Sequence, residues 1–185
     1  IEDTDKKRST EEFKNNIISG LKWLGIHWDG EPQIQSQNIK RHLAIANNLL
    51  TNKNAYKCIC TEGDLADRRK KINSGEISSK KICSTCEKNK EVQSLKTDFV
   101  IRIKIPTDGS EILEDVIQGR VEVKNNEIDD FVLVRKDNTP TYMLSVVVDD
   151  HDLGVNYIIR GDDHLNNYFR QKFIYKHMNW KIPMY

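Results

Sequence analysis

Four cysteines restrict most strongly what this chain can fold into. They are all the cysteines of 185 residues, and they fall in one 29-residue window: Cys58-x-Cys60, a 22-residue gap, then Cys83-x2-Cys86. Two close pairs can each supply two thiolates to one tetrahedral cation, and Zn²⁺ is the ion that suits such a set. Four thiolate ligands leave no open coordination position, so the metal would be structural. From Tyr56 to about Leu95 the chain is rich in Lys and Ser, with few apolar residues such as Leu65 and Ile72. That is too little apolar surface for a self-supporting core, so the segment needs a staple or a neighbour to dock on. The opening Ile1-Glu2-Asp3-Thr4-Asp5 has neither the basic start nor the apolar run of a signal peptide. This argues for a reducing, cytoplasmic setting, where structural disulfides are rare. Unrelated thiols are the alternative reading.

Net charge is only +1, with 29 basic and 28 acidic residues. The average conceals an uneven distribution. Residues 68–90 carry a net +6 and residues 106–130 a net −6. A basic block can meet a phosphate backbone, or can be an ordinary solvated face. With 37% apolar residues the chain has the composition of a globular protein. No apolar run approaches the roughly 20 residues a membrane-spanning helix requires.

Periodicity predicts a first helix opened by the capping-box spacing of Ser9 and Glu12, faced by Phe13, Ile17, Leu21 and Leu24, and stopped at Gly25. The loop Trp28–Pro32 follows. A second helix fits 36–51, with Ile39, Leu43, Ala46 and Leu50 on one face. From Asp98 the pattern turns to strands: Phe99, Ile101, Ile103 and Ile105 alternate with Val100, Arg102 and Lys104, and Pro106 ends the run. Further strands fit 111–117, 120–124 and 131–135. Residues 141–149 are ambiguous, residues 155–159 read as a buried strand, and a helix fits 164–178 with Leu165, Phe169, Phe173 and His177 on one face. The order implies an α/β domain interrupted by a small α+β insertion.

Asp149-Asp150-His151 and Asp162-Asp163-His164 invite a metal-hydrolase reading; the plainer one is that they cap helices and make turns. Arg160 follows the predicted strand and precedes Gly161 and a helix N-terminus. Ligands of open α/β sheets bind at such strand ends, where a guanidinium suits a carboxylate or phosphate. Its alternative is a salt bridge to Asp162 or Asp163.

Taken together, these strings resemble the bacterial glutamyl-tRNA synthetases. The resemblance rests on Ile1-Glu2-Asp3-Thr4-Asp5 with Arg8-Ser9-Thr10-Glu11-Glu12, on Gly20–Ile26 with Trp28-Asp29, and on Ala55–Cys60. It continues through Asp129–Leu133, Thr139–Tyr142, Val146–His151 and Ile159–Leu165. It covers nearly the whole chain, in family order. It implies a partial Rossmann-type class I catalytic domain, residues 1–50 and 141–185, interrupted by an inserted acceptor-stem-binding domain, residues 51–140. It implies ATP with Mg²⁺, glutamate and the tRNA acceptor stem as substrates and partners, no membrane, and a monomer at full length. By resemblance Glu2 binds the substrate's α-amino group, Tyr142 lines the amino-acid pocket, Arg160 pairs with the side-chain carboxylate and Asp163 faces ATP. Cys58, Cys60, Cys83 and Cys86 are the zinc ligands, the Asp-Asp-His triplets are mostly structural, and 141–150 becomes helical. The HIGH and KMSKS signatures of the class are absent from the sequence. The chain is therefore expected to be an internal piece, with no catalytic residue assigned within it. The alternatives are a glutamyl-queuosine tRNA synthetase-like enzyme and a non-catalytic zinc-stapled RNA-binding module.

Overall fold

The computed structural model describes residues 1–3, 9–77, 81, 83 and 85–185. Thr4, Asp5, Arg8 and Lys80, which entered the sequence reading, lie outside them. The alternating run at 99–105 becomes β2 (Val100–Ile103), the centre of a three-stranded antiparallel sheet between β1 (Ala55–Cys58) and β5 (Val132–Val134). Ala55 pairs with Ile103 and Cys58 with Val100. The β2–β5 register shifts between Ile101 and Arg102. A shift of this kind breaks the two-residue alternation, so Arg102 is buried together with Ile101 and Ile103. Sequence alternation had placed it outward. β3 (Ser110–Asp115) and β4 (Gly119–Lys124) form a separate antiparallel hairpin.

Against the three-stranded sheet pack α2 (Ile39–Thr51) and α5 (Tyr142–Asp152), and α6 (Leu165–His177) packs on α5 and on β3 of the hairpin. The inward residues of α2 are His42, Ile45, Ala46 and Leu49, with Leu43 and Leu50 only partly covered. The face is thus rotated from the predicted one, and a short 3₁₀ turn at Gln35–Asn38 precedes the helix. The ambiguous 141–149 is helical: Leu144, Ser145, Val147 and Val148 face inward, and the Val run fills a core. α6 buries Tyr168, Phe169, Gln171, Phe173, Ile174 and Tyr175, nearly its whole circumference. Lys172 and Lys176 of α6 close on Glu111 of β3 at 2.9 and 2.6 Å. Burial raises the Glu111 pKa, but hydrogen bonds from the two ammonium groups outweigh it and hold the carboxyl below its usual value.

Two expectations are corrected. Residues 155–159 are not a buried strand: Ile159 is 88% exposed, and the segment makes one isolated parallel bridge, Tyr157 to Met184. A strand needs a continuous partner for its backbone groups, and the described residues supply only that bridge. The first helix, α1 (Glu11–Trp23), starts one residue later than its capping box implied: Thr10 is the cap, accepting from Phe13 N at 3.3 Å. Gly25, at φ +72°, ends it by a turn that favours glycine. Its apolar stripe is uncovered, with Phe13 55% and Ile17 56% exposed.

The cysteine-rich stretch holds α3 (Glu62–Asn73) and α4 (Lys90–Ser94). A full capping box between Thr61 and Asp64 starts α3, which buries no residue completely. Among the described residues no helix is long and apolar enough to cross a membrane.

Candidate functional site

Two centres carry chemistry. The first gathers around Arg160. Residues Ile1–Asp3 run beside 33–36: Gln35 N donates to the Ile1 carbonyl at 3.0 Å, and Ser36 N to Asp3 Oδ1 at 2.8 Å. This holds Glu2 within electrostatic reach of Arg160. Glu2 keeps an exposed side, but partial desolvation raises its pKa, and the N-terminal ammonium and then Arg160 pull it the other way. Tyr142, at the start of α5, has its pKa raised by burial and then by Glu2, while Arg160 and a donor from Gln171 oppose the rise. Arg160 itself donates from Nη1 to Gln171 Oε1 at 3.2 Å, and its guanidinium carbon lies 5.1 Å from the Tyr185 ring centroid. No bridge to Asp162 or Asp163 forms. Arg160 also borders a cleft of about 210 Å³ lined by Leu113, Ile158, Leu165, Tyr168 and Tyr185.

The structure therefore brings together Glu2, Tyr142 and Arg160. It does not bring Asp163 to them: that side chain is 74% exposed and lies 3.5 Å from His164 Nε2. Asp150, which the sequence reading named only within a triplet taken as mostly structural, joins this cluster. Burial, reinforced by Glu2 and Asp149 and opposed by Arg160, pushes its carboxyl up to about 6. The sequence reading missed Gln171 and Tyr175, both buried: the Tyr175 hydroxyl has no hydrogen-bond partner among the described residues, and the Gln171 amide nitrogen has only its loose approach to Tyr142. Tyr175 senses Asp150, Tyr185 and Arg160, so the orphaned groups belong to the same cluster. A polar residue at a core position of α6 was the signal available in sequence.

Around the first triplet, Asp149, His151 and the following Asp152 make structural contacts. Asp149 accepts from Gln35, Asn38 and His42, Asp152 pairs with Arg41, and the His151 ring stacks on Trp180 at 3.7 Å.

The second centre is the cysteine cluster. Its four Sγ atoms all lie within 4.8 Å of one another. Cys60 Sγ is 3.6 Å from both Cys83 Sγ and Cys86 Sγ. A zinc–sulfur length of about 2.3 Å sets tetrahedral sulfur–sulfur edges of about 3.8 Å, so the donor set fits a tetrahedral thiolate site. All four thiols are free. Burial pushes Cys60 up to about 12, and the Cys58 sulfur as hydrogen-bond partner does the same to Cys83. So many sulfurs cannot ionise together without a cation, and a bound dication reverses that. Among the described residues this is the only cluster of His, Cys, Asp and Glu groups that could hold a metal.

Asp130, fully buried, joins this segment to the sheet. It accepts from Tyr56 Oη at 3.0 Å and Ile105 N at 3.1 Å, and lies 3.6 Å from Lys81 Nζ. Arg102 donates to its carbonyl at 2.8 Å.

A family model described as tRNA synthetases class I (E and Q), catalytic domain, matches residues 1–185. The chain belongs to this family. Among its relatives, glutamate–tRNA ligase 1 of Ehrlichia canis is 45% identical over 185 residues, which is 100% of this chain and 39% of that protein. Glutamate–tRNA ligase 2 of Zymomonas mobilis is also 45% identical, over 100% of this chain and 38% of that protein. The crystal structure of a glutamate tRNA ligase from Elizabethkingia meningosepticum in complex with its amino acid superposes with a TM-score of 0.86 at 29% identity. It matches all of this chain and 40% of that one. The mixed α/β fold is thus that of class I (E and Q) synthetase catalytic domains, and the chain spans about two fifths of the length of its synthetase relatives.

Proposed function

We propose that the protein carrying this sequence is a glutamate–tRNA ligase, joining glutamate to ATP as glutamyl-adenylate and passing the glutamyl group to the 3′ end of tRNA. The observation that carries this reading is the convergence of Glu2, Tyr142 and Arg160 in one electrostatic cluster. Glutamate presents an ammonium and a side-chain carboxylate, and the cluster offers an anion and a fixed cation to match. A carboxylate taken from water is costly unless paired, so a cation at the pocket favours the acid over its amide. The relatives named above are glutamate–tRNA ligases.

Several finer assignments go with this reading. Residues 1–50 and 141–185 belong to a Rossmann-type catalytic domain, and residues 51–140 to an inserted domain that holds the acceptor stem. The exposed Arg69, Lys70 and Lys71 of α3 suit contact with tRNA phosphates. Cys58, Cys60, Cys83 and Cys86 hold one structural Zn²⁺, which staples a segment with a thin core. ATP enters with Mg²⁺, and Asp163, exposed to solvent, faces it. The enzyme acts as a monomer in the cytoplasm.

The deciding experiment is aminoacylation by the full-length protein with Arg160→Ala. Losing a charged partner for a desolvated carboxylate costs about 2–5 kcal/mol, so glutamate kcat/KM falls at least thirtyfold while the KM for ATP stays within about twofold. Unchanged glutamate kinetics removes Arg160 from the pocket.

A further inference from the structure

We propose that Gln171 positions Arg160 for the acid-over-amide preference of this pocket, anchoring the guanidinium with its buried carbonyl oxygen. This rests on the glutamate reading above.

Gln171 lies on the core face of α6 and is 1% exposed. A buried primary amide must satisfy one acceptor and one donor group. Here Oε1 takes the proton of Arg160 Nη1 at 3.2 Å. That bond orients the amide, because the guanidinium has no acceptor to offer the other end. It also holds the guanidinium from one side while the Tyr185 ring lies against it. Nε2 is left buried with no partner among the described residues. It is close enough to Tyr142 to oppose the burial that raises that hydroxyl's pKa, without making a hydrogen bond of ordinary geometry. One helical turn on, the Tyr175 hydroxyl is also buried and unpartnered.

The site thus holds a cation anchored from the core side. A carboxylate can accept from the remaining donors of Arg160. An amide of the same shape offers one oxygen and turns an NH₂ toward donors, leaving buried hydrogens unpaired. Were Gln171 reversed, its NH₂ would meet the guanidinium donor against donor, and the anchor of the cation would be lost.

The test is steady-state aminoacylation by the full-length protein with glutamate and with glutamine, comparing wild type, Gln171→Met and Gln171→Glu. Methionine keeps the length and burial of glutamine without its amide. The expected result for Gln171→Met is a glutamate KM raised about tenfold to a hundredfold, the size of a hydrogen bond to a charged group. The KM for ATP stays unchanged, and the glutamate-to-glutamine ratio falls. Gln171→Glu places an anion against Arg160 and lowers glutamate kcat/KM at least as much. If Gln171 only fills space, Gln171→Met keeps the wild-type KM and selectivity, and that overturns the inference. Where Gln171→Met does not fold, Gln171→Glu decides: an unchanged glutamate kcat/KM overturns it. Failure of the underlying reading looks different, because wild type itself then charges no glutamate.

Discussion

His42 Nε2 lies 2.7 Å from Asp149 Oδ1, joining α2 to α5 across 107 residues of sequence. Gln35 and Asn38 donate to the same carboxylate at 3.0 and 3.2 Å. Asp149 is also within electrostatic reach of Glu2, and the contact closes together two segments that the cysteine-rich stretch and the strands separate. Asp149→Ala leaves three donors without their acceptor, one of them on a fully buried ring. We expect a loss of about 3 kcal/mol in denaturant unfolding. Asp152→Ala removes the more exposed pair with Arg41 and is expected to cost under about 1 kcal/mol. Equal losses for the two would refute this ranking.

Elemental analysis of the purified protein is expected to return about one zinc per chain. A metal that binds only the folded state stabilises it, so chelation should lower Tm. Cys83→Ser should reduce bound zinc and lower Tm by about 10 °C. Four titratable thiols with no metal, and a Tm indifferent to chelator, would remove zinc from the description.

Asp150 gives a pH signature with a definite sign. Burial raises its folded-state value to about 6, above the roughly 3.9 of an unfolded chain. Below about pH 4 both states hold the proton and the group costs nothing. Between 4 and 6 the unfolded state ionises first, so stability is lost as pH rises. Asp150→Asn escapes that loss. Its stability relative to wild type should therefore grow from pH 4 to pH 7 in denaturant titrations, and a flat difference would place Asp150 in water.

Replacing Arg69, Lys70 and Lys71 together with alanine tests the exposed face of α3. Binding of tRNA should weaken, and the slope of log affinity against log salt should become shallower by about two to three. Stability should move by less than about 0.5 kcal/mol. Arg68 is left in place because its Nε donates to the Lys81 carbonyl at 2.6 Å. An unaltered salt slope would mean this face meets solvent only.

Sequence spacing anticipated the cysteine cluster, the hairpin and α6, because each is governed by near neighbours or by a strict period. It misread Arg102, where a register shift in the sheet overrides alternation. It misread 155–159, where apolar composition implied burial but only an isolated bridge supplies a backbone partner. The resemblance to the synthetases named Glu2, Tyr142 and Arg160 together, which no local pattern could have joined, and the structure brings them within electrostatic reach of one another. The parts played by Asp150 and Gln171 escaped because their character comes from what packs around them: burial for the first, and an oriented bond for the second.

Asp130 touches β1 through Tyr56, the continuation of β2 through Ile105, and the cysteine-rich segment through Lys81. A buried carboxylate shared this way cannot be abandoned by one partner without a penalty felt by the others. The cysteine-rich segment and the sheet are therefore one cooperative unit, and they should melt in a single transition rather than as a loose appendage followed by a rigid body.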